Sequence, residues 1–283
     1  MSELFIKGTV IGLDYKKWKE DIELFSSILS SVLETWKIRT YDNQDNLKTE
    51  IAENLSREYG RVKSAYYGFD GDVNNLSVNY HLLKSILENK DLENGLKTMY
   101  LSLLVENYII NIRSIYDFTS FFPRLIMPLK DIQQYKNRKN PDSLNTFITY
   151  CEKNKPSFFS QDFLNLMNGT KEDLEVIRKI RDSIIHKGKE SLIIITDNDV
   201  LFRIPSKAPY GVENSLPDIL DLGNSNYPLL IYLRKLTVNL INYMEQLGNL
   251  MFLEFKKDEN YRLELTALIG ICIKDFNEFI HEK

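Results

Sequence analysis

Histidine and cysteine are scarce in this chain, with three of the one and two of the other among 283 residues. Cys151 and Cys272 lie far apart and offer neither metal-ligand spacing nor a disulfide framework. They read as two buried small hydrophobes in a reducing compartment. His81 and His281 have no ligand partners at metal spacing, so packing or surface roles suit both and no metal or cofactor is expected. Long apolar runs are missing too. The longest, PLLIYLRKLTVNLINYM, is broken by Arg234 and Lys235, whereas a spanning helix needs about 20 apolar residues. The opening residues, MSELFIKGTVIGLDYKKW, lack the basic start and apolar core of a secretory signal. A cytoplasmic, non-membrane protein is expected. Cations are outnumbered, 36 against 40 anions, for a net charge of −4. That excludes a globally basic nucleic-acid binder but leaves room for a local basic patch. GxxxxGK[ST], GxGxxG, GxSxG and HExxH are all absent, which lowers the weight of P-loop, Rossmann, hydrolase and zincin chemistry. A calcium loop also fails. DGDVNNLSVNYH supplies Asp70, Asp72 and Asn74, but Asn75 replaces the turn glycine and His81 the closing glutamate. A turn between two helices is expected there instead.

What is present is a helical period along most of the chain, with 43% hydrophobic and 27% charged residues supporting a packed core. Trp18, Ile22, Phe25, Ile28, Leu29 and Val32 recur at helical spacing. After YDNQDN, helices are expected over about 46–66 and from the FDGD turn to about 90. A long helix follows at about 91–121, lined by Leu101, Leu104, Tyr108, Ile112, Ile115 and Phe118 and ended by Pro123 and Pro128. Shorter helices fit 142–154 and 160–167. Thr170 then fits an N-cap, with Asp173 three positions on, and Gly188 a C-terminal cap, so that NGT at 168–170 is a turn. SLIIIT and VLFRIP around DND read as a β-hairpin at about 191–205, an insertion followed by a loop over 206–226. Long helices at about 228–256 and 259–281 close the chain. The expected fold is all-α: an N-terminal helical region over 1–90 packed on a helical bundle over 91–283. The 16 tyrosines and 15 phenylalanines mostly fall at helix-core spacing, which favours packing over base stacking.

One helix end combines groups with chemistry. Leu174, Ile177, Ile180 and Ile184 share a face of the 171–187 helix, while Arg178, Asp182 and His186 follow one another by four on a neighbouring stripe. A carboxylate one turn before a histidine can accept its hydrogen bond, orient the ring and favour the imidazolium, as does a helix C-terminus. Such a group carries protons near neutral pH. Arg181, five residues before His186, lies ~140° away on an ideal helix. One helix face therefore does not hold both; a long arginine side chain, a frayed last turn or a second chain would bring their heads to one phosphate. On the long helix, Glu106, Arg113 and Asp117 form a polar stripe from which Glu106 or Asp117 can neutralise Arg181 or Arg178. The plainer alternatives are a solvated Arg178–Asp182 pair with His186 as a helix cap, and a surface Arg113–Asp117 pair.

RDSIIH, residues 181–186, resembles the R-x4-H motif of the HEPN superfamily, in the form with a polar residue after the arginine. The resemblance covers mainly the helix at 170–188, and the flanking long helices could complete a four-helix bundle. It implies an α-helical, metal-independent endoribonuclease, needing no cofactor and acting as a homodimer whose two motifs share a cleft. The ribose 2′-hydroxyl attacks the scissile phosphate and leaves a 2′,3′-cyclic phosphate. It implies His186 as general acid or base, Arg181 as the group stabilising phosphate charge, and Asp182 as the orienting residue. Lys187 and Lys189, with Arg178, would hold the RNA backbone. Proteins of this kind occur among toxins with antitoxin or regulatory partners and in phage defence. The alternatives are a non-catalytic HEPN-like module binding RNA, nucleotide or protein, and a helical interaction protein without a phosphate site.

Overall fold

The computed structural model describes residues 5–6, 22–25, 27–185, 191–197, 199–205, 214–223, 226–257, 261–263 and 271–282. The protein is mostly helical, as expected. Its described helices are α1 (Ile28–Thr40), α2 (Glu53–Glu88), α3 (Asn94–Thr119), α4 (Leu129–Lys136), α5 (Leu144–Asn154), α6 (Gln161–Ile185), α7 (Leu229–Phe255) and α8 (Lys274–His281), with a 3-10 turn at Phe122–Leu125. The strands are short: β1 (Phe5–Ile6), β2 (Ile22–Phe25), β3 (Leu192–Ile195), β4 (Val200–Arg203), β5 (Tyr227–Pro228) and β6 (Ile271–Ile273). By its internal contacts the chain forms two compact units. The first takes residues 1–74, 114–171 and 241–272, the second 75–113, 172–240 and 273–283.

Two expected breaks are absent. FDGD does not turn; it lies inside the 36-residue α2. Val62, Tyr66, Phe69, Val73, Leu76, Tyr80 and Leu83 are buried along it in an unbroken three–four repeat, and burying that stripe outweighs two glycines. Gly68 has a packing reason, because a Cβ there would overlap the Phe118 ring. NGT likewise lies inside α6, which is one 25-residue helix rather than two. Thr170 is not a cap: its hydroxyl donates to the Leu166 carbonyl at 2.8 Å, and the residue is buried in line with Phe163, Met167, Leu174 and Ile177. The cap is Ser160, whose Oγ accepts the Phe163 N–H at 3.2 Å.

Other expectations need correcting at their edges. Ile22–Phe25 is a strand paired antiparallel with β1, not helix. The helix begins only after Ser27, whose Oγ accepts the Ser30 N–H at 3.0 Å. Trp18 lies outside the described residues. The closing helix is the eight-residue α8, preceded by β6 in a sheet of order β1-β2-β6. α4 was unforeseen because eight residues carry only two buried anchors, Ile132 and Tyr135. The hairpin is present as β3 and β4, in register Leu192↔Arg203 to Ile195↔Val200. β5 adds a third antiparallel strand, with Pro228 at the edge where its missing N–H costs no ladder bond.

In the first unit, α7 crosses α1 at backbone contact. Gly248 permits this, since a Cβ there would collide with the Leu29 backbone. Beside it, Glu245 Oε1 accepts the Ile28 N–H at 2.9 Å and closes the start of α1. Burial pushes the Glu245 carboxyl above its ordinary pKa, against the opposing effect of that bond. In the second unit, Tyr108 on α3 and Thr237 on α7 share a buried hydrogen bond of 2.6 Å, and Asn239 on α7 donates to Asp173 on α6 at 2.8 Å. α8 is held to α2 by the Tyr80–Phe279 stack, with centroids 4.0 Å apart, and by Asp275, which accepts from Lys84 and pairs with His81, each at 3.0 Å.

The glycines make a contrast that denaturant unfolding can check. Gly248→Ala is expected to destabilise the protein by about 1–3 kcal/mol, because the methyl group is forced against backbone. Gly71→Ala and Gly169→Ala, with nothing within 4 Å of the added methyl, are expected to stabilise by about 0.5–1 kcal/mol.

Candidate functional site

The candidate site is built on the last two turns of α6. Phe163, Met167, Thr170, Leu174, Ile177 and Ile180 occupy the buried stripe, and Arg181 follows at its edge. Hence a guanidinium stands at the border between the packed face and solvent. Its side chain keeps 28% of its surface exposed, so the stem packs and the head reaches solvent. Arg181 Nη2 donates to Asp182 Oδ1 at 2.7 Å and Nε to the same oxygen at 3.2 Å. One carboxylate oxygen thus holds one edge of the guanidinium, leaving the Nη1 edge able to meet a phosphate.

Arg178 is exposed and donates to Glu175 at 2.8 Å, an i,i+3 pair that holds the guanidinium above its ordinary pKa. The solvated Arg178 pair of the plainer reading is therefore made with Glu175. His186, Lys187 and Lys189 fall outside the described residues, as does Gly188. The structure brings Arg181 and Asp182 together and sets Arg178 one turn back on α6.

Glu106 lies on α3 in the second unit, where its Oε1 accepts the Ser191 N–H at 3.3 Å. Ser102, one turn earlier, donates to the Ser191 carbonyl at 2.8 Å. These bonds anchor to α3 the first described residue after the motif. Asp117 belongs to the first unit and serves α5: its Oδ1 accepts the Leu144 N–H at 3.0 Å, a helix-start bond from outside the helix. Arg113 is buried rather than at the surface.

Sequence reading missed a charged cluster in the first unit. Arg124 has no exposed side-chain surface. It donates to Glu58 at 3.0 Å, to the Pro141 carbonyl at 2.7 Å and to Asp142 at 3.2 Å, and lies 4.1 Å from the Phe121 ring centre. Lys136 donates to the other Glu58 oxygen at 2.8 Å, and Arg61 to both oxygens of Asp142 at 2.7 and 2.8 Å. These residues come from separate elements with no shared spacing, so no sequence motif joins them. Each charge faces its opposite, from wholly buried Arg124 and Glu58 out to partly exposed Lys136, Arg61 and Asp142, as in a structural network. Burial alone would raise the Glu58 carboxyl, but the bonds from Lys136 and Arg124 outweigh it and hold the group below its ordinary value.

Two clefts of about 390 and 480 Å³ share Lys155, Pro156 and Ser157 in the first unit. Cys151 lines the smaller, but burial pushes its thiol up to about 12, so it is a packing residue and not a nucleophile. Among the described residues, no group of three His, Cys, Asp or Glu side chains is placed to hold a metal ion. No described helix is long and apolar enough to cross a membrane. No family model, curated protein or solved structure matches the chain.

The Glu58 network sets an acid limit. A carboxyl with a lowered folded pKa contributes stability that is complete above the unfolded value, about 4.3, and is lost as pH falls through the folded one. Glu58→Gln is expected to cost about 3–5 kcal/mol at neutral pH by leaving Arg124 buried without its anion. It is also expected to flatten the decline of stability below about pH 4, as measured by urea unfolding across pH.

Proposed function

We propose that this protein is a metal-independent endoribonuclease of the HEPN type, acting as a homodimer. The observation that carries the reading is Arg181: a partly buried guanidinium beside the buried stripe near the end of α6, oriented by Asp182, at the head of RDSIIH. Rotamer freedom lost to packing and to the ion pair is lost before substrate arrives, so the cation meets a phosphate preorganised.

In the proposed reaction the ribose 2′-oxygen attacks phosphorus, and the bond from phosphorus to the 5′-oxygen of the next nucleotide breaks. The products are a 2′,3′-cyclic phosphate and a 5′-hydroxyl. His186 takes the 2′-hydroxyl proton or supplies one to the departing 5′-oxygen. Arg181 stabilises the charge that gathers on the non-bridging oxygens. Arg178, Lys187 and Lys189 bind the flanking backbone, making affinity salt-dependent. Two copies answer the ~140° separation of Arg181 and His186 on an ideal helix, since the arginine of one chain reaches towards the histidine of the other. A setting in toxin–antitoxin or phage-defence systems, with a protein antitoxin or regulator as partner, belongs to the same proposal.

The Arg181–Asp182 pair also favours a second reading. A guanidinium already neutralised by its neighbour suits a module that binds RNA, nucleotide or protein without cutting it.

Incubation of the protein with RNA in EDTA decides between them. Cleavage to 2′,3′-cyclic ends is expected, reduced about 10²–10³-fold in Arg181→Ala and about 10²–10⁴-fold in His186→Ala, with unfolding midpoints close to wild type. RNA left equally intact by wild type and both variants would sink the nuclease reading. Binding retained without cleavage would establish the second.

A further inference from the structure

α3 carries two apolar stripes. The first, Leu101, Val105, Tyr108, Ile112 and Ile115, is buried in the core. The second, Leu96, Tyr100, Leu103, Asn107 and Ile110, advances by four, three, four and three residues on the opposite side of the helix, and all five are exposed. Leu103 keeps 60% of its surface exposed, and the flanking Met99 keeps 67%. The spacing is that of a heptad seam, with Tyr100 and Asn107 in one set of core positions and Leu96, Leu103 and Ile110 in the other.

We infer that this seam is where two copies of the chain meet, α3 against α3 across a two-fold axis. The choice of a second copy as occupant rests in part on the two-chain site proposed above, but three features of the seam support it directly. Its composition is uncharged: no seam residue carries a charge, so nothing on it calls for a basic or acidic partner. Its one polar member, Asn107, would be left unpaired against an apolar partner. The same asparagine from a second copy satisfies it and fixes the register. Its apolar members Leu96, Tyr100, Leu103 and Ile110 keep 40%, 46%, 60% and 40% of their surface exposed side by side, a contiguous patch rather than the usual scattered apolar residues.

The seam also lies beside the first described chain segment after the motif. Ser102 and Glu106, which bind Ser191, each precede a seam residue by one position and so lie ~100° round the helix from it. Pairing through α3 therefore places the two anchored chain segments on either side of one interface, within about two helix diameters, or ~20 Å.

The experiment measures mass in solution by light scattering and sedimentation. Wild type is expected at twice the 33.2 kDa chain mass at micromolar concentration. A Tyr100→Asp/Leu103→Asp double variant is expected to run as a folded monomer, with dissociation at least 100-fold easier and an unchanged helical circular-dichroism signal. Arg181→Ala is expected to remain a dimer. Should the double variant misfold, Asn107→Cys in a Cys272→Ser background replaces it, Cys151 being buried. Oxidation is then expected to yield a disulfide-linked dimer, and none forming overturns the inference. A monomeric wild type overturns it too, as does a double variant that stays dimeric. The two proposals fail distinguishably: an α3-paired dimer that leaves RNA intact sinks the nuclease reading alone, and a monomer that cuts RNA sinks the seam and the two-chain site but not the nuclease activity.

Discussion

A helix whose apolar residues repeat every three and four positions must bury that stripe along its whole length, or else present it to something. This constraint explains most of what is distinctive here. In α2 the stripe from Val62 to Leu83 runs through FDGD, and the helix runs with it, because interrupting it would expose Phe69 and Val73 to water. In α6 the stripe from Phe163 to Ile177 runs through NGT, and Thr170 turns its hydroxyl back on the preceding carbonyl to stay within it. Local punctuation loses to burial in both cases, since each large buried side chain contributes about 1.5–3 kcal/mol and a mid-helix glycine costs about 1.

Departures from the rule mark where function is proposed. At the end of α6 Arg181 borders the buried stripe, and its charged head finds a counter-ion in Asp182, the next residue. Along α3 the repeat occurs twice on opposite sides, and only one stripe finds protein to cover it. Arg124 shows the other solution. Wholly buried charge is accepted where Glu58, Asp142 and the Pro141 carbonyl surround it. It answers a structural need in the first unit, because both of its Nη groups end on the protein's own acceptors.

Much of the fold was readable from the sequence because periodicity is a local signal. α3, α5 and α7 lie within a few residues of their expected bounds, and the hairpin came from a change of period. The misreadings share one cause. Glycine, asparagine and threonine at FDGD and NGT carry turn signals whose weight depends on what the neighbouring stripe buries, and a sequence window does not show that. α4 and β5 are too short to have a period at all. In the candidate site, the identities and spacing of Arg181 and Asp182 were readable, but their mutual hydrogen bond was not. Equally hidden was the employment of Asp117 on α5, a helix that starts 27 residues later.

By itself the sequence determined the all-α class, the long helices and RDSIIH at a helix end, because each is written in nearest-turn spacing. It also excluded a globally basic nucleic-acid binder through net charge, while leaving room for a local basic patch. Tertiary structure decided which stripes are covered and which stay open, which carboxylate holds which guanidinium, and which glycine is a contact rather than a turn. Those outcomes depend on which distant segments meet. Gly248 against Leu29, Glu58 around Arg124 and the open face of α3 belong to the packed chain and not to any stretch of it.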